Sequence, residues 1–132
     1  MILKLECYID GSSLGNPGPS GVGVYIPNIL ELALYIGYCT NNQAEMTALL
    51  VALKEIEKLK FRSCIIYTDS ELVAYKKIKD SKLSSLRNQI DRHMNSIANL
   101  KIEWIDREQN EIADNLAREA AKNINYIKIR KE

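Results

Sequence analysis

Short runs of strand-forming residues alternate with polar turns in the first part of the chain. Runs rich in leucine, aromatic and β-branched side chains lie at residues 2–9, 20–26 and 30–38. Residues 11–18, GSSLGNPG, predict a loop between the first two runs, and Pro27 and Asn28 predict a turn between the next two. Three short strands joined by short connections favour an antiparallel meander.

The spacing of apolar residues becomes helical after this meander. Between residues 42 and 59 they recur at the spacing of an amphipathic helix. Residues 63–68 form a short, nearly continuous apolar run, which is typical of a strand covered on both faces. Helices are also predicted at 70–78, 83–97 and 110–123, and a strand at 100–105. Residues 126–129 fit either a short strand or an ordered tail, and the pattern does not decide between them.

This order of elements predicts a single α/β domain. Helices separate the later strands, so those strands should join the sheet in parallel through right-handed crossovers. The expected architecture is a five-stranded mixed sheet, an antiparallel meander followed by parallel strands, flanked by helices. Residues 1–123 are expected to form the domain and residues 124–132 a C-terminal tail. A chain of 132 residues can bury a core without disulfides or structural metals.

Charge and cysteine content add little about partners. The net charge is +1, which does not by itself indicate a nucleic-acid partner. Basic residues do cluster in one stretch, where a solvated helix surface and a phosphate-facing patch are the two interpretations. They are Lys76, Lys77, Lys79, Lys82, Arg87 and Arg92. Cys7, Cys39 and Cys64 lack CxxC spacing and lie in apolar runs, which predicts buried free thiols.

The sequence predicts a cytoplasmic protein that does not associate with membranes. Free cysteines are typical of a reducing compartment. The first residues lack the pattern of a signal peptide, and no apolar stretch reaches membrane-spanning length.

Four acidic residues stand where predicted elements meet. Asp10 follows the first strand and Asp69 the fourth, whereas Glu45 and Asp114 lie near the starts of two helices. Each alone has an ordinary interpretation as a turn, helix-cap or exposed residue. Together they would converge on one rim if the first and fourth strands are neighbours, because ligand sites form at the carboxyl ends of strands.

Carboxylates on one rim would repel one another unless cations neutralise them. Oxygen ligands without His or Cys favour hard divalent ions, Mg²⁺ or Mn²⁺, over zinc. Two such ions about 4 Å apart can activate a water and stabilise the leaving oxygen of a phosphodiester. The sequence offers no nucleophile triad, because its single histidine, His93, lies in a predicted helix.

Four motifs, in order along the chain, resemble those of the type 1 ribonuclease H family. The segment 9–21, IDGSSLGNPGPSG, is the most specific; the others are TNNQAEM at 40–46, TDS at 68–70 and NEIADNLA at 110–117. The resemblance covers nearly the whole chain. It is closer to the shorter archaeal-type members, which lack a basic protrusion.

This resemblance implies the ribonuclease H-like fold and hydrolysis of the RNA strand of RNA–DNA hybrids, leaving 5′-phosphate and 3′-hydroxyl ends. It implies two Mg²⁺ or Mn²⁺ ions, bound with substrate by Asp10, Glu45, Asp69 and Asp114, with Asp10 bridging both. Glu45 would also lie near the ribose 2′-hydroxyl. The implied substrate contacts are Gly11, Ser12, Ser13, Asn16, Thr40, Asn41, Asn42 and Gln43. Asn16 and Thr40 would hold a phosphate of the DNA strand, whereas turn formation or helix capping is the alternative for the asparagines.

The chain departs from the best-studied bacterial pattern in three places. Glu71 follows Asp69 and Ser70 where an uncharged residue is common. Arg107 stands in the loop before Asp114 where a histidine is often found. Arg107 is therefore a candidate for proton handling or product release, with plain surface charge as the alternative. The segment after Asp69 is short and lacks the basic protrusion, so the basic cluster is a candidate to compensate in part. Residues 126–131 are a candidate for the functional C-terminal tail that some of the shorter members carry.

The expected partner is an RNA–DNA hybrid, bound by a monomer, but other functions fit parts of the pattern. A relative of the same fold could resolve junctions or transfer strands, although such relatives usually lack the GNPG loop and the Asn-Asn-x-x-Glu pairing. A non-catalytic nucleic-acid-binding domain predicts the loss of an acid, and none is missing. A domain cut from a reverse transcriptase is a further alternative. The start of the chain at Met1 is taken as an argument against it.

Overall fold

A six-stranded sheet organises the part of the chain that the computed structural model describes, residues 2–75 and 83–131. The strands are β1 Ile2–Ser13, β2 Gly18–Ile26, β3 Leu30–Cys39, β4 Phe61–Thr68, β5 Leu100–Trp104 and β6 Ile127–Lys131. Their order in the sheet is β5-β4-β1-β2-β3-β6. Strands β1 to β3 form the antiparallel meander, and β4 and β5 add in parallel beside β1. The α/β mixed sheet is confirmed, and the segment left open by the sequence forms β6, antiparallel to β3.

Helices connect these strands within the residues that the structure describes. They are α1 Asn41–Ile56, α2 Glu71–Ala74, α3 Ser84–Asn95, the 3-10 helix Arg107–Asn110 and α4 Glu111–Ala121. Residues 76–78 of the helix predicted at 70–78 lie outside the described residues. So do Lys76, Lys77, Lys79 and Lys82 of the basic cluster.

Helices α1 and α4 pack on opposite faces of the sheet, and glycines let both approach closely. A Cβ on Gly11 would lie 2.3 Å from the backbone of Ala44 in α1. A Cβ on Gly23 would lie 2.3 Å from the carbonyl oxygen of Ala113 in α4. Neither gap admits a side chain, so these two glycines set how near each helix comes to the strands.

Alternation along β1 decides which side chains face which helix. Leu5, Cys7 and Ile9 are fully buried in the main apolar core, with residues of α1 such as Leu53. Successive strand side chains point to opposite faces, so Asp10 points to the α4 face. The core therefore fixes the orientation of the first acidic residue.

The loop predicted over residues 11–18 is wrong in its first part. Strand β1 continues to Ser13, because residues 11–13 pair with Val22, Gly21 and Ser20 of β2. Asp10 consequently lies inside β1 rather than at its end. Glycine and serine have low intrinsic strand preference, and pairing with a long neighbouring strand outweighs it here.

Two further predictions can be compared with the structure. Cys7, Cys39 and Cys64 are all free thiols. Cys7 and Cys64 are buried as predicted, whereas Cys39 is only half-buried. In residues 2–75 and 83–131, none of the helices has the length and apolar character that a membrane crossing requires.

Candidate active site

Asp10 and Asp69 lie side by side on neighbouring strands. The parallel pairing of β1 with β4 ends at the partners Ile9 and Thr68, and the next residue on each chain segment is an aspartate. The condition for convergence stated above, that the first and fourth strands are neighbours, is therefore met. Parallel register places the two acids at the same rim of the sheet.

Helix α1 brings Glu45 to this rim. The Thr40 hydroxyl accepts a hydrogen bond from the Gln43 amide (3.1 Å), and the Gln43 side chain accepts one from the Thr40 amide (2.8 Å). This reciprocal capping box starts the helix at Asn41, so Thr40 is its cap rather than Asn41 or Asn42. The Asn41 amide in turn donates to Oδ1 of Asn16 (3.0 Å). The start of α1 is thereby tied to the loop between β1 and β2.

Ser70 connects Glu45 to the start of α2. Its hydroxyl donates to Oε2 of Glu45 (2.7 Å) and accepts from the Val73 amide (3.2 Å) as the helix cap. Its own amide donates to the Thr68 hydroxyl (3.1 Å), and the residue is buried. Sequence reasoning missed this role, although a serine between a strand-end aspartate and a helix start is the available signal.

Asp114 is buried on α4, with only 9 % of its surface exposed. Arg118, one turn later, pairs with its Oδ2 (3.1 Å), and Arg107 stands 3.9 Å from its Oδ1. The solvent-exposed alternative considered for Asp114 is thus wrong, since the helix packs it against the sheet. The Arg107 side chain is 70 % exposed.

Asn110 fixes the start of α4 against β1. Its Nδ2 donates to the carbonyl oxygen of Ile9 (2.8 Å), immediately before Asp10 in the chain. Asn110 is buried, and its Oδ1 has no hydrogen-bond partner within the described residues. This bond links the helix that carries Asp114 to the strand that carries Asp10.

Crowding of acids shapes the electrostatics of the site. Burial, followed by the carboxylates of Asp69, Asp114 and Glu45, raises the pKa of Asp10 to about 9. Asp10 itself is only 8 % exposed. Burial raises the pKa of Glu45 and Asp69 adds to the rise, while the hydrogen bond from Ser70 opposes it. The neighbouring carboxylates are therefore close enough to disfavour the ionised form of Asp10, and Asp69 is close enough to do the same to Glu45.

A groove of about 650 Å³ contains the four acids. It is also lined by Gly11, Ser12, Ser13, Asn41 and Arg107, all of which the sequence singled out. Trp104 and Asp106 line it as well and were not anticipated. Asn16, Thr40, Asn42 and Gln43 are not among its lining residues; they belong to or adjoin the start of α1.

Several of the expected substrate contacts also have structural tasks. The Ser13 hydroxyl donates to the carbonyl oxygens of Cys39 (2.9 Å) and Gly15. Gly11 makes room for α1, as described above. Thr40 and Gln43 form two hydrogen bonds with each other, which occupies part of the polar groups that could bind substrate.

The donor chemistry of the groove suits a hard cation, although its side chains are not gathered around one. Four carboxylates supply oxygen ligands only, as Mg²⁺ and Mn²⁺ prefer. Within residues 2–75 and 83–131, no group of three or more His, Cys, Asp or Glu side chains is arranged as a metal-binding site. Asp114 pairs with Arg118, and Glu45 accepts a hydrogen bond from Ser70.

Comparison with known proteins gives a consistent picture. A family model described as reverse transcriptase-like matches residues 9–120. A bifunctional protein of Mycobacterium tuberculosis is 32% identical over 129 residues, covering 89% of this chain and 35% of that protein. The chain thus spans about a third of the length of the first curated relatives that it matches.

Two other similar proteins match over most of both chains. The ribonuclease H of Idiomarina loihiensis is 34% identical over 148 residues, covering 89% of this chain and 87% of that protein. The crystal structure of LC11-RNase H1 in complex with an RNA/DNA hybrid superposes with a TM-score of 0.83 and 34% identity. That match covers 89% of this chain and 96% of the other.

Proposed function

The chain belongs to the type 1 ribonuclease H family, and on this premise we propose that it is an endonuclease hydrolysing the RNA strand of RNA–DNA hybrids. The observation that carries the proposal is the grouping of Asp10, Glu45, Asp69 and Asp114 in one groove. The hybrid bound to a similar structure supports the choice of substrate. The proposed products carry 5′-phosphate and 3′-hydroxyl ends.

Two divalent ions, Mg²⁺ or Mn²⁺, are part of this proposal. Asp10, Glu45, Asp69 and Asp114 would hold them, with Asp10 shared, because their carboxylates line the groove and offer the oxygen ligands that such ions prefer. When bound, such ions lower the pKa of a water and stabilise the leaving oxygen of the phosphodiester. The raised pKa of Asp10 supports the assignment, since a cation would relieve the repulsion that contributes to it.

The protein's own side chains orient and bind. Ser70 holds the Glu45 carboxylate from its buried side, which leaves the other oxygen of that carboxylate for the groove. Ser12, Ser13 and Asn41 also line the groove and are proposed substrate contacts, together with Gly11. Asn16, Thr40, Asn42 and Gln43 are proposed to bind where the DNA strand passes the start of α1.

Arg107 is proposed to act on the anionic groups of the reaction. It is largely exposed yet stands 3.9 Å from Asp114, so its guanidinium can reach a phosphate in the groove without leaving that acid. Assistance to product release fits an arginine better than proton transfer does, because its side chain stays charged.

Cleavage of a labelled hybrid with Mg²⁺ or Mn²⁺ tests the proposal directly. Single-stranded RNA, duplex RNA and duplex DNA of the same sequence are the comparison substrates. We expect Asp10→Asn to slow hybrid cleavage more than about 100-fold, because even outer-shell partners of metal ligands cost up to that factor. Asp91→Asn, an exposed acid on α3, is the matched control and should leave the rate unchanged.

Two outcomes would refute the assignment. If Asp10→Asn cut the hybrid as fast as the parent, the four-acid site would not be the active site. If duplex DNA were cut in preference to the hybrid, another phosphodiester activity of the same fold would replace this one.

A further inference from the structure

Trp104 is the only tryptophan of the chain, and it lies in the groove. It is the last residue of β5, paired with Thr68 of β4, directly beside the turn into Asp69. Its indole Nε1 donates to the carbonyl oxygen of Asp69 (3.2 Å). Even so, 40 % of its surface remains exposed.

Such an arrangement leaves an oriented aromatic surface uncovered. The hydrogen bond to Asp69 restrains the ring, because a rotated indole would lose that acceptor. Among the described lining residues Trp104 is the one aromatic side chain, whereas its neighbours there are mostly carboxylates, hydroxyls and amides. A polar groove does not need an indole for its own stability. The exposed indole ring is therefore better explained by contact with a ligand that has an apolar face.

The order of strands gives the position of this surface. Strand β5 lies at one edge of the sheet, with β4 and β1 next to it. Trp104 therefore lies on the far side of Asp69 from Asp10, and Ser12 and Ser13 of β1 lie on the other side. A nucleic-acid strand that runs across the groove from Ser12 and Ser13 over Asp10 and Asp69 would reach the indole next.

We propose that Trp104 is a substrate-binding residue whose indole packs against the sugar or base of the nucleotide next to the cleaved phosphate, on the Asp69 side. This inference rests on the proposed function and adds a named contact to it. Nucleotides offer flat bases and apolar sugar faces, and aromatic side chains commonly bind both. The alternative is that Trp104 only positions Asp69 through the hydrogen bond.

The native fluorophore allows a direct test, since all tryptophan emission comes from this position. Titration of the Asp10→Asn variant with hybrid in the presence of Mg²⁺ should change the intensity and wavelength of the emission in a saturable way. Anisotropy of a labelled hybrid, followed in the same samples, reports binding independently. Unchanged emission at a hybrid concentration that saturates the anisotropy would overturn the proposal.

Two substitutions separate contact from positioning. Trp104→Phe keeps an aromatic ring but loses the bond to Asp69, whereas Trp104→Ala loses both. If the ring contacts substrate, Trp104→Ala should raise the KM for the hybrid about tenfold while Trp104→Phe stays within about threefold of the parent. Equal losses in both variants, expressed in kcat rather than KM, would show a positioning role and overturn the contact.

Controls distinguish this inference from the function on which it rests. Ile124→Ala removes an apolar side chain beyond α4 that is even more exposed than Trp104, and it should change neither KM nor kcat. If the parent does not cleave hybrid at all, the proposed function fails. If the parent cleaves hybrid but its Trp104 emission ignores the substrate, only the indole contact fails. Because the fluorescence experiment needs no change at Trp104, it remains decisive if Trp104→Ala does not fold.

Discussion

The two walls of the groove are built in different ways. On the wall formed by α1 and the start of α2, polar groups are satisfied by backbone and by buried side chains, as in the Thr40–Gln43 capping box and the Ser70–Glu45 hydrogen bond. On the wall formed by β5 and α4, exposed Arg107 and half-exposed Arg118 face Asp114. Exposed ion pairs contribute little to stability, whereas a broken buried hydrogen bond is costly.

This contrast divides the expected effects of substitution. Changes on the α1 wall should alter folding and chemistry together, because the same hydrogen bonds serve both. Changes on the α4 wall should alter binding, rate and salt dependence while the fold persists. The following predictions test that division, from the largest expected effect to the smallest.

Ser70→Ala tests the buried wall most severely. It removes the hydrogen bond that orients Glu45 and the cap of α2, so we expect cleavage to slow about 10- to 100-fold. The free energy of unfolding should fall by about 1 kcal/mol from the lost cap. Steady-state cleavage and chemical denaturation measure the two effects. Ser70→Thr retains the hydroxyl and is the control; if it lost as much as Ser70→Ala, the hydrogen bond would not be the cause.

The free energy of unfolding of the metal-free protein should depend on pH because of Asp10. Its pKa is about 9 in the folded protein and near the ordinary carboxyl range when unfolded, so the folded state binds more protons between those values. The free energy of unfolding therefore falls as pH rises through this window. With a chelator present, the Asp10→Asn variant should therefore unfold at a higher temperature than the parent. This difference in unfolding temperature should grow from about pH 4 to pH 8 and reach about 5 °C.

Thermal unfolding of both proteins across that range measures the effect. Added Mg²⁺ should stabilise the parent more than the variant, because it compensates the carboxylates. A parent whose unfolding temperature did not fall relative to the variant's would contradict the assignment of Asp10 as the crowded acid.

Arg107→Ala tests the exposed wall and should have the smallest effect. Its pair with Asp114 is long and solvated, so we expect turnover about fivefold slower or less, with the unfolding temperature unchanged. The rate difference should shrink at high salt, since salt screens exposed charges. Arg107→Lys keeps the charge and should recover part of the loss. Equal rates for the parent and Arg107→Ala would return this residue to plain surface charge.

Features that follow from chain order and alternation could be predicted from the sequence. Asp10 and Asp69 are adjacent because their strands are parallel neighbours. The sequence predicted that the later strands join the sheet in parallel, whereas the adjacency of β1 and β4 was only a condition for the site. The length of β1 could not be predicted, since pairing with β2 extends it through residues with low strand preference.

Contacts between distant segments were also beyond the sequence. The bond from Trp104 to Asp69 joins residues from separate strands, and no local pattern indicates it. The ion pair between Arg118 and Asp114 is different. These residues are one helical turn apart, so their contact can be predicted from the sequence once the helix has been assigned. Sequence reasoning thus located the four acids but not the groups that hold them.

The register of β1 beside β4 determines which side chains of β1 face the site. Ile9 faces the core and Asp10 faces α4 only because an alternating strand assigns each position to one side. One residue inserted in β1 before Ile9 would turn the Asp10 carboxylate towards the apolar core and Ile9 towards α4. An insertion or deletion there would therefore disrupt the core and the site together.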